Sequence, residues 1–167
     1  VAAKRETEHG IAYSRYSKDP NCNLTITPGN VVDTDQLVDQ IQQDARKFDL
    51  TEVRYDPTRL EGTRQNLMRA GFATVEVSTS SKSMAPAFGF VERLVRDGKL
   101  RHPDCPLLNW NLGNCRPQRD RFDRLMVLKS GPHNKIDGID ALAIASTHYL
   151  EDSMAPGPDA KLFELWG

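Results

Sequence analysis

Apolar residues between positions 24 and 97 switch repeatedly between a period of two and a period near 3.6, and this alternation limits the fold more than any other feature of the chain. Leu24-Thr-Ile-Thr27 reads as a short strand ended by Pro28-Gly29. From Asp33 the pattern turns helical, with Leu37, Val38, Ile41, Ala45 and Phe48 on one stripe and Asp33 or Thr34 able to cap it. Residues 52–56 form a second strand, stopped by Asp56-Pro57 because proline holds the residue before it extended. A helix carrying Leu60, Leu67 and Met68 follows and closes at Gly71. Residues 72–77 are again extended, residues 78–83 a loop, and a third helix runs from about Met84 to Asp97, ending at Gly98 with Pro86 in its first turn. Strand, helix, strand, helix, strand, helix is the signature of an α/β domain with at least partly parallel pairing.

Outside that stretch the pattern is weaker. Residues 1–23 are polar and read as irregular, as do residues 102–123 with prolines at 103, 106 and 117. Residues 125–128 suit a strand, and residues 136–150 a closing helix whose Ala141, Ala143, Ala145 and Ser146 favour close packing on a sheet. The tail after Glu151, with Pro156-Gly157-Pro158, is expected to be mobile. The reading is therefore one domain over residues 1–152 and a tail over 153–167.

Composition narrows the function classes. With 38% hydrophobic and 27% charged residues the chain is ordinary for a globular protein, and no apolar run reaches the ~18–20 residues of a membrane span. Lys4, Arg5, Glu6 and Glu8 follow Val1 at once, so no secretory signal core is expected. Cys22, Cys105 and Cys115 are odd in number and irregularly spaced, which suits reduced thiols of a cytosolic protein better than a disulfide framework. The net charge of −1 hides an asymmetry: residues 31–61 hold eight acids against four bases, and residues 93–135 ten bases against four acids. Carboxylates for a metal beside cations for phosphate is the balance a nuclease needs, and also an arrangement that surface composition produces by chance.

Two segments can carry chemistry. Asp56 ends a strand, and in parallel α/β sheets binding groups gather at the carboxyl ends of strands; the alternative is a helix cap or turn. In His133-Asn-Lys-Ile-Asp137-Gly-Ile-Asp140-Ala-Leu-Ala the two aspartates are three apart at a helix start, hence on one face, and there the alternative is compensation of the helix dipole. Aspartate oxygens suit Mg²⁺ or Mn²⁺, and magnesium needs only one or two protein carboxylates. CxxC and HExxH spacings, a phosphate-binding P-loop and a dinucleotide fingerprint are all absent from the sequence.

Taken in order, several short strings resemble the nuclease domain of tailed-phage large terminases. They are Thr27-Pro28-Gly29-Asn30-Val31-Val32-Asp33, Tyr55-Asp56-Pro57, Gly71-Phe72, Ser83-Met84-Ala-Pro86, Gly98-Lys-Leu-Arg-His102, Leu108-Asn-Trp110-Asn-Leu-Gly-Asn114, Lys129, and Lys135-Ile-Asp137-Gly-Ile-Asp140. They span roughly residues 13 to 150. The resemblance implies an α/β, RNase H-like mixed sheet flanked by helices, and a two-metal endonuclease using Mg²⁺ or Mn²⁺. One ion would activate water and the other stabilise the leaving 3′ oxygen. Three acids hold the ions in that family: Asp56 matches the second and Asp137 the third, with Asp140 as an alternative or accessory ligand. The first has no counterpart, so the domain is expected to begin upstream of Val1.

The resemblance further implies that Lys129 and Lys135 contact phosphate, and that Arg116, Arg119, Arg121 and Arg124, interleaved with Phe122, track a DNA backbone. Solvated surface cations are the competing account. His102 and Asn114 would support the site, against a purely structural role, and Ser83 would bind substrate, against a plain N-cap. The implied substrate is concatemeric double-stranded DNA. The implied partners are a terminase ATPase domain, the small terminase subunit and the portal, in the cytoplasm of an infected or lysogenic bacterial host. Two other functions stay open: a catalytically incomplete DNA- or partner-binding fragment, and an RNase H-like nuclease of the resolvase or transposase type.

Overall fold

The computed structural model describes residues 2–27 and 33–152, which fall into two compact units, one within residues 1–26 and 80–167 and the other within residues 27–79.

The smaller unit is a β-α-β element with one further helix. Helix α3 (Thr34–Ala45), numbered after two helices of the larger unit, is capped by Asp33, whose carboxylate accepts from the backbone N–H groups of Asp35 at 3.0 Å and Gln36 at 3.3 Å. Strand β1 (Val53–Tyr55) lies parallel to β2 (Thr74–Glu76), with Val53 opposite Thr74 and Tyr55 opposite Glu76. Helix α4 (Pro57–Arg69) joins them and packs on α3 and β2. Val38, Tyr55, Thr63, Leu67 and Val77 are its buried residues. The three strand and helix runs expected over residues 52–77 are thus present, with the parallel pairing that their alternation implies.

Gly71 ends α4 as the sequence predicts. Its φ is +90°, its N–H bonds the Met68 carbonyl at 3.0 Å, and the Phe72 N–H bonds the Leu67 carbonyl at 3.0 Å. This is the paired closure that satisfies the last carbonyls of a helix. A Cβ at Gly71 would meet no atom within 4 Å, so Gly71→Ala carries the left-handed backbone cost alone, roughly 1–2 kcal/mol. Urea denaturation should show that loss with an unchanged slope.

The larger unit holds α1 (Ala2–His9), α2 (Tyr13–Tyr16), α5 (Ser81–Arg96), α6 (Pro106–Gly113), β3 (Cys115–Arg119), β4 (Leu125–Lys129) and α7 (Asp137–Asp152). Helices α5 and α7 form its centre, burying Met84, Ala85, Ala87, Phe88 and Leu94 from one and Ile139, Ala143, Ser146 and Thr147 from the other. Ala87 and Ala143 have no exposed surface, so these small side chains let the two helices approach closely. Strand β4 pairs antiparallel with β3, Cys115 facing Lys129 and Arg119 facing Leu125, and lies against α5, while α6 lies against α7.

Several expectations need correction. Residues 2–16 are not irregular throughout: they carry α1 and α2, whose polar sequences leave little apolar period to read. Residues 24–27 form no strand. Residues 102–123 contain α6 and β3. Helix α6 (PLLNWNLG) lacks a polar face, and β3 (CRPQR) is exposed along most of its length and carries Pro117, which only an edge strand tolerates. Helix α5 begins at Ser81, with Ser80 as its cap through a 3.3 Å bond from the Ser83 N–H. Pro86 therefore sits in the second turn. It is exposed there, where water can satisfy the carbonyl it leaves unbonded. The end of α5 is as expected, Gly98 adopting φ +66° with the closure seen at Gly71. Residues 28–32, which open the first matching string, and the tail at 153–167 lie outside the described residues.

Candidate active site

Asp137 is exposed at the first residue of α7, and Asp140 is half-buried on the same face one turn later. The start of that helix is fixed from α6. The buried Asn111 accepts the Gly138 N–H at 2.8 Å and donates from Nδ2 to the Leu107 carbonyl at 3.0 Å. Asn111 thereby satisfies one of the four N–H groups that a helix start leaves without an internal partner. The buried Asn114 donates to the Lys135 carbonyl at 3.0 Å, and its own carbonyl takes the Ser130 N–H at 2.9 Å. A Cβ on Gly138 would stand 3.3 Å from Leu108 Cδ1 and 3.4 Å from Asn111 Oδ1, so glycine permits this close approach of α6 to α7.

The electrostatics set the two acids apart. Burial pushes the Asp140 carboxyl above its ordinary value, the charge of Asp137 pushes it the same way, and Lys129 at the end of β4 opposes both. Burial also raises the Cys115 thiol, with Asp140 adding to it. Tyr13, from the N-terminal segment, is raised by burial and then by Asp137. Two like charges, one partly withdrawn from water, gain from a cation placed between or beside them.

The donor set fits a hard divalent ion: two aspartate carboxylates on one helix turn, with magnesium requiring no more than one or two such groups plus water and phosphate. Among the described residues no three His, Cys, Asp or Glu side chains are gathered as a metal cluster.

Asp56 belongs to the smaller unit. It stands half-buried immediately after β1 and caps α4, accepting from the Thr58 N–H at 3.0 Å and the Thr58 hydroxyl at 2.8 Å. Beside it Tyr55 Oη donates to Glu76 Oε1 at 2.9 Å across the parallel pair. Asp56 thus occupies the carboxyl end of a parallel strand and acts as a helix cap at once.

The basic residues sit at and near the β3–β4 turn. Asp120 organises it, its Oδ1 accepting from the backbone N–H groups of Phe122 at 2.8 Å and Arg124 at 3.1 Å while Oδ2 takes Arg124 Nε at 2.7 Å. The Arg124 side chain, foremost, holds the Asp120 carboxyl below its ordinary value. Arg121 and Arg124 lie over the Phe122 ring at 4.7 and 4.9 Å, and the ring is 62% exposed. Arg119 donates to the Asp123 carbonyl at 2.9 Å and pairs with the Asp123 carboxylate at 3.6 Å. Arg116 is exposed on β3, Lys129 exposed at the end of β4, and Lys135 half-buried before α7. His102 is exposed between α5 and α6, and Ser83 is exposed with its hydroxyl 2.9 Å from that of Ser80.

Because Asp120 is depressed, it stabilises the turn at pH values above its unfolded value, and that contribution disappears as pH falls through its folded one. Asp120→Ala should accelerate amide exchange at Phe122 and Arg124, read by NMR, with no comparable change in α5 or α7.

The sequence reading gave no role to Asn111 or Gly138. The available signal was three asparagines, 109, 111 and 114, in an otherwise apolar stretch, of which 111 and 114 are buried, since buried asparagines require partners.

Residues 3–153 match the family described as terminase large subunit, endonuclease domain. The chain is 30% identical to the large terminase subunit of Enterobacteria phage HK97 over 124 residues, 73% of this chain and 25% of that protein. It is 25% identical to Protein YmfN of Escherichia coli strain K12 over 126 residues, 73% of this chain and 27% of that protein. It therefore spans about a quarter of the length of these curated relatives. The crystal structure of the HK97 bacteriophage large terminase superposes with a TM-score of 0.77 at 26% identity, covering 88% of this chain and 31% of that one. The large terminase nuclease of thermophilic phage G20c gives 0.58 at 17% identity, covering 71% and 64%, which supports the shared fold alone. The mixed α/β architecture is RNase H-like, as the resemblance implied. On the match that runs from residue 3 to residue 153, this chain belongs to the terminase large subunit endonuclease domain family.

Proposed function

We propose that this chain is the nuclease part of a viral DNA-packaging terminase and hydrolyses phosphodiester bonds of concatemeric double-stranded DNA with two divalent ions, Mg²⁺ or Mn²⁺. The observation that carries the reading is the Asp137–Asp140 pair, held at the start of α7 by Asn111 and Asn114 in a chain of this family. Asp137 and Asp140 are the carboxylates that this unit offers to the ions, and Asp56 is assigned as a further ligand from its place after β1 and the family pattern. Bound divalent ions supply Lewis-acid activation of water and charge neutralisation at the leaving oxygen.

The protein's own groups do the rest. Lys129, already close enough to lower the Asp140 carboxyl, balances negative charge where phosphate enters. Lys135, Arg116 and Arg121 present cations to the backbone. Arg119 and Arg124, engaged with Asp123 and Asp120, hold the turn that presents them. Asn114 keeps Lys135 and the first turn of α7 in register, and His102 and Ser83 are assigned accessory roles. By analogy with its relatives, the partners are duplex DNA, the terminase ATPase domain, the small subunit and the portal.

Supercoiled plasmid incubated with the complete domain, including its first metal-holding acid, and Mn²⁺ should be nicked and linearised without strong sequence preference, and a chelator should stop it. DNA retarded in a gel but left intact under the same conditions would instead favour the reading of a DNA-binding fragment, to which the exposed basic turn around Phe122 also lends itself.

A further inference from the structure

We propose that Cys22 and Cys105 are an oxidation site, converted by a low-molecular-weight disulfide such as oxidised glutathione into an intramolecular disulfide that ties the N-terminal segment to α6. Their sulfurs stand 2.7 Å apart, both thiols free, though 83 positions separate them in the chain. A disulfide bond is ~2.05 Å long, so its formation asks for less than an ångström of further approach by the two sulfurs. The surrounding backbone already holds them. Cys22 follows α2 in a turn where its N–H bonds the Asp19 carbonyl at 3.0 Å, and the Leu107 N–H donates to its sulfur. Cys105 is the residue before Pro106 at the start of α6. A second contact seats the same two pieces, the edge-on packing of Tyr13 against Trp110 at 6.4 Å.

The two thiols differ in access. Cys22 is buried, and burial raises its thiol above the ordinary value, whereas Cys105 is half-exposed. Reaction therefore begins at Cys105. Its thiolate attacks the small disulfide, forming a mixed disulfide and releasing one small thiolate. Cys22, giving up its proton, then attacks the Cys105 sulfur and displaces the second. Two protein S–H bonds are lost and one S–S bond forms; the small disulfide takes up two electrons and two protons and leaves as two thiols. Cys115, whose sulfur donates to the Asn111 carbonyl at 3.3 Å, takes no part. The cross-link would fix residues 13–22 onto the helix whose Asn111 sets the start of α7.

The full chain, equilibrated with oxidised glutathione and then unfolded, should show one titratable thiol in place of three and a mass lower by two hydrogens. Proteolysis should yield one linked pair of peptides containing Cys22 and Cys105. The melting temperature should rise by roughly 5–10 °C and return on reduction. Cys115→Ser should still cross-link, and Cys105→Ser should not. Three free thiols after equilibration with the fold intact by circular dichroism, a stable glutathione adduct without ring closure, or a link that includes Cys115 would each overturn the proposal.

Discussion

Asp137→Ala is expected to lower metal-dependent DNA cleavage on the order of 10³-fold while leaving the fold intact. The two effects separate because of where Asp137 sits. Its side chain is exposed at the first residue of α7, so substitution opens no cavity, and the interaction lost to stability is that of one carboxylate with the helix dipole, about 0.3–1 kcal/mol. Part of that loss is returned, because removing Asp137 also removes a charge that destabilises ionised Asp140. Loss of a carboxylate that would hold a catalytic ion costs far more, because the charge neutralisation that ion supplies goes with it: 10³-fold is about 4 kcal/mol of transition-state stabilisation. Single-turnover cleavage at saturating Mn²⁺, run beside thermal melts, measures both. Wild-type cleavage by the variant would remove Asp137 from the site.

Asn111→Ala has the opposite character, and both stability and activity are expected to fall. Alanine leaves the Gly138 N–H facing a buried gap, and the Leu107 carbonyl loses the extra donor that the asparagine side chain gives it. A buried polar group without a partner costs about 1–3 kcal/mol, which corresponds to a fall in Tm of roughly 2–10 °C for a domain of this size. Activity should drop about 10–100-fold, the usual consequence of removing a side chain that orients metal ligands without touching the metal. Asn111→Asp is a sharper test. It keeps an acceptor for Gly138 but loses the donor to Leu107 and adds negative charge beneath two acids that already repel. It should therefore melt lower than wild type and bind Mn²⁺ with altered affinity. If Asn111→Ala cleaves DNA at the wild-type rate, α6 does not position the pair.

The parts of this molecule that could be read from sequence are those whose physics is local. The stripe from Leu37 to Ala45, the cap at Asp33 and the closures at Gly71 and Gly98 each depend on residues within a turn or two of one another, and all are present, whereas Phe48, expected on the same stripe, lies beyond the end of α3. The same holds for the Asp137–Asp140 spacing, which a single helix turn dictates. Helix α6 and strand β3 escaped because neither has an amphipathic period. The first is apolar on nearly every side, and the second is a polar edge strand defined by its pairing with β4. The link between Asn111 and Gly138 spans 27 positions and exists only once α6 lies against α7. The ion pairs that turn Arg119 and Arg124 from free cations into parts of the hairpin likewise depend on the conformation of the turn, in which Asp123 adopts a φ of +59°.

Direct binding of Mn²⁺, followed by electron paramagnetic resonance as the ion is titrated into this chain, tests most simply whether the acids that open α7 accept a divalent cation. Wild-type protein should take up Mn²⁺, and Asp137→Ala should lose most of that uptake while melting at nearly the same temperature. Identical binding curves for the two proteins would contradict the account.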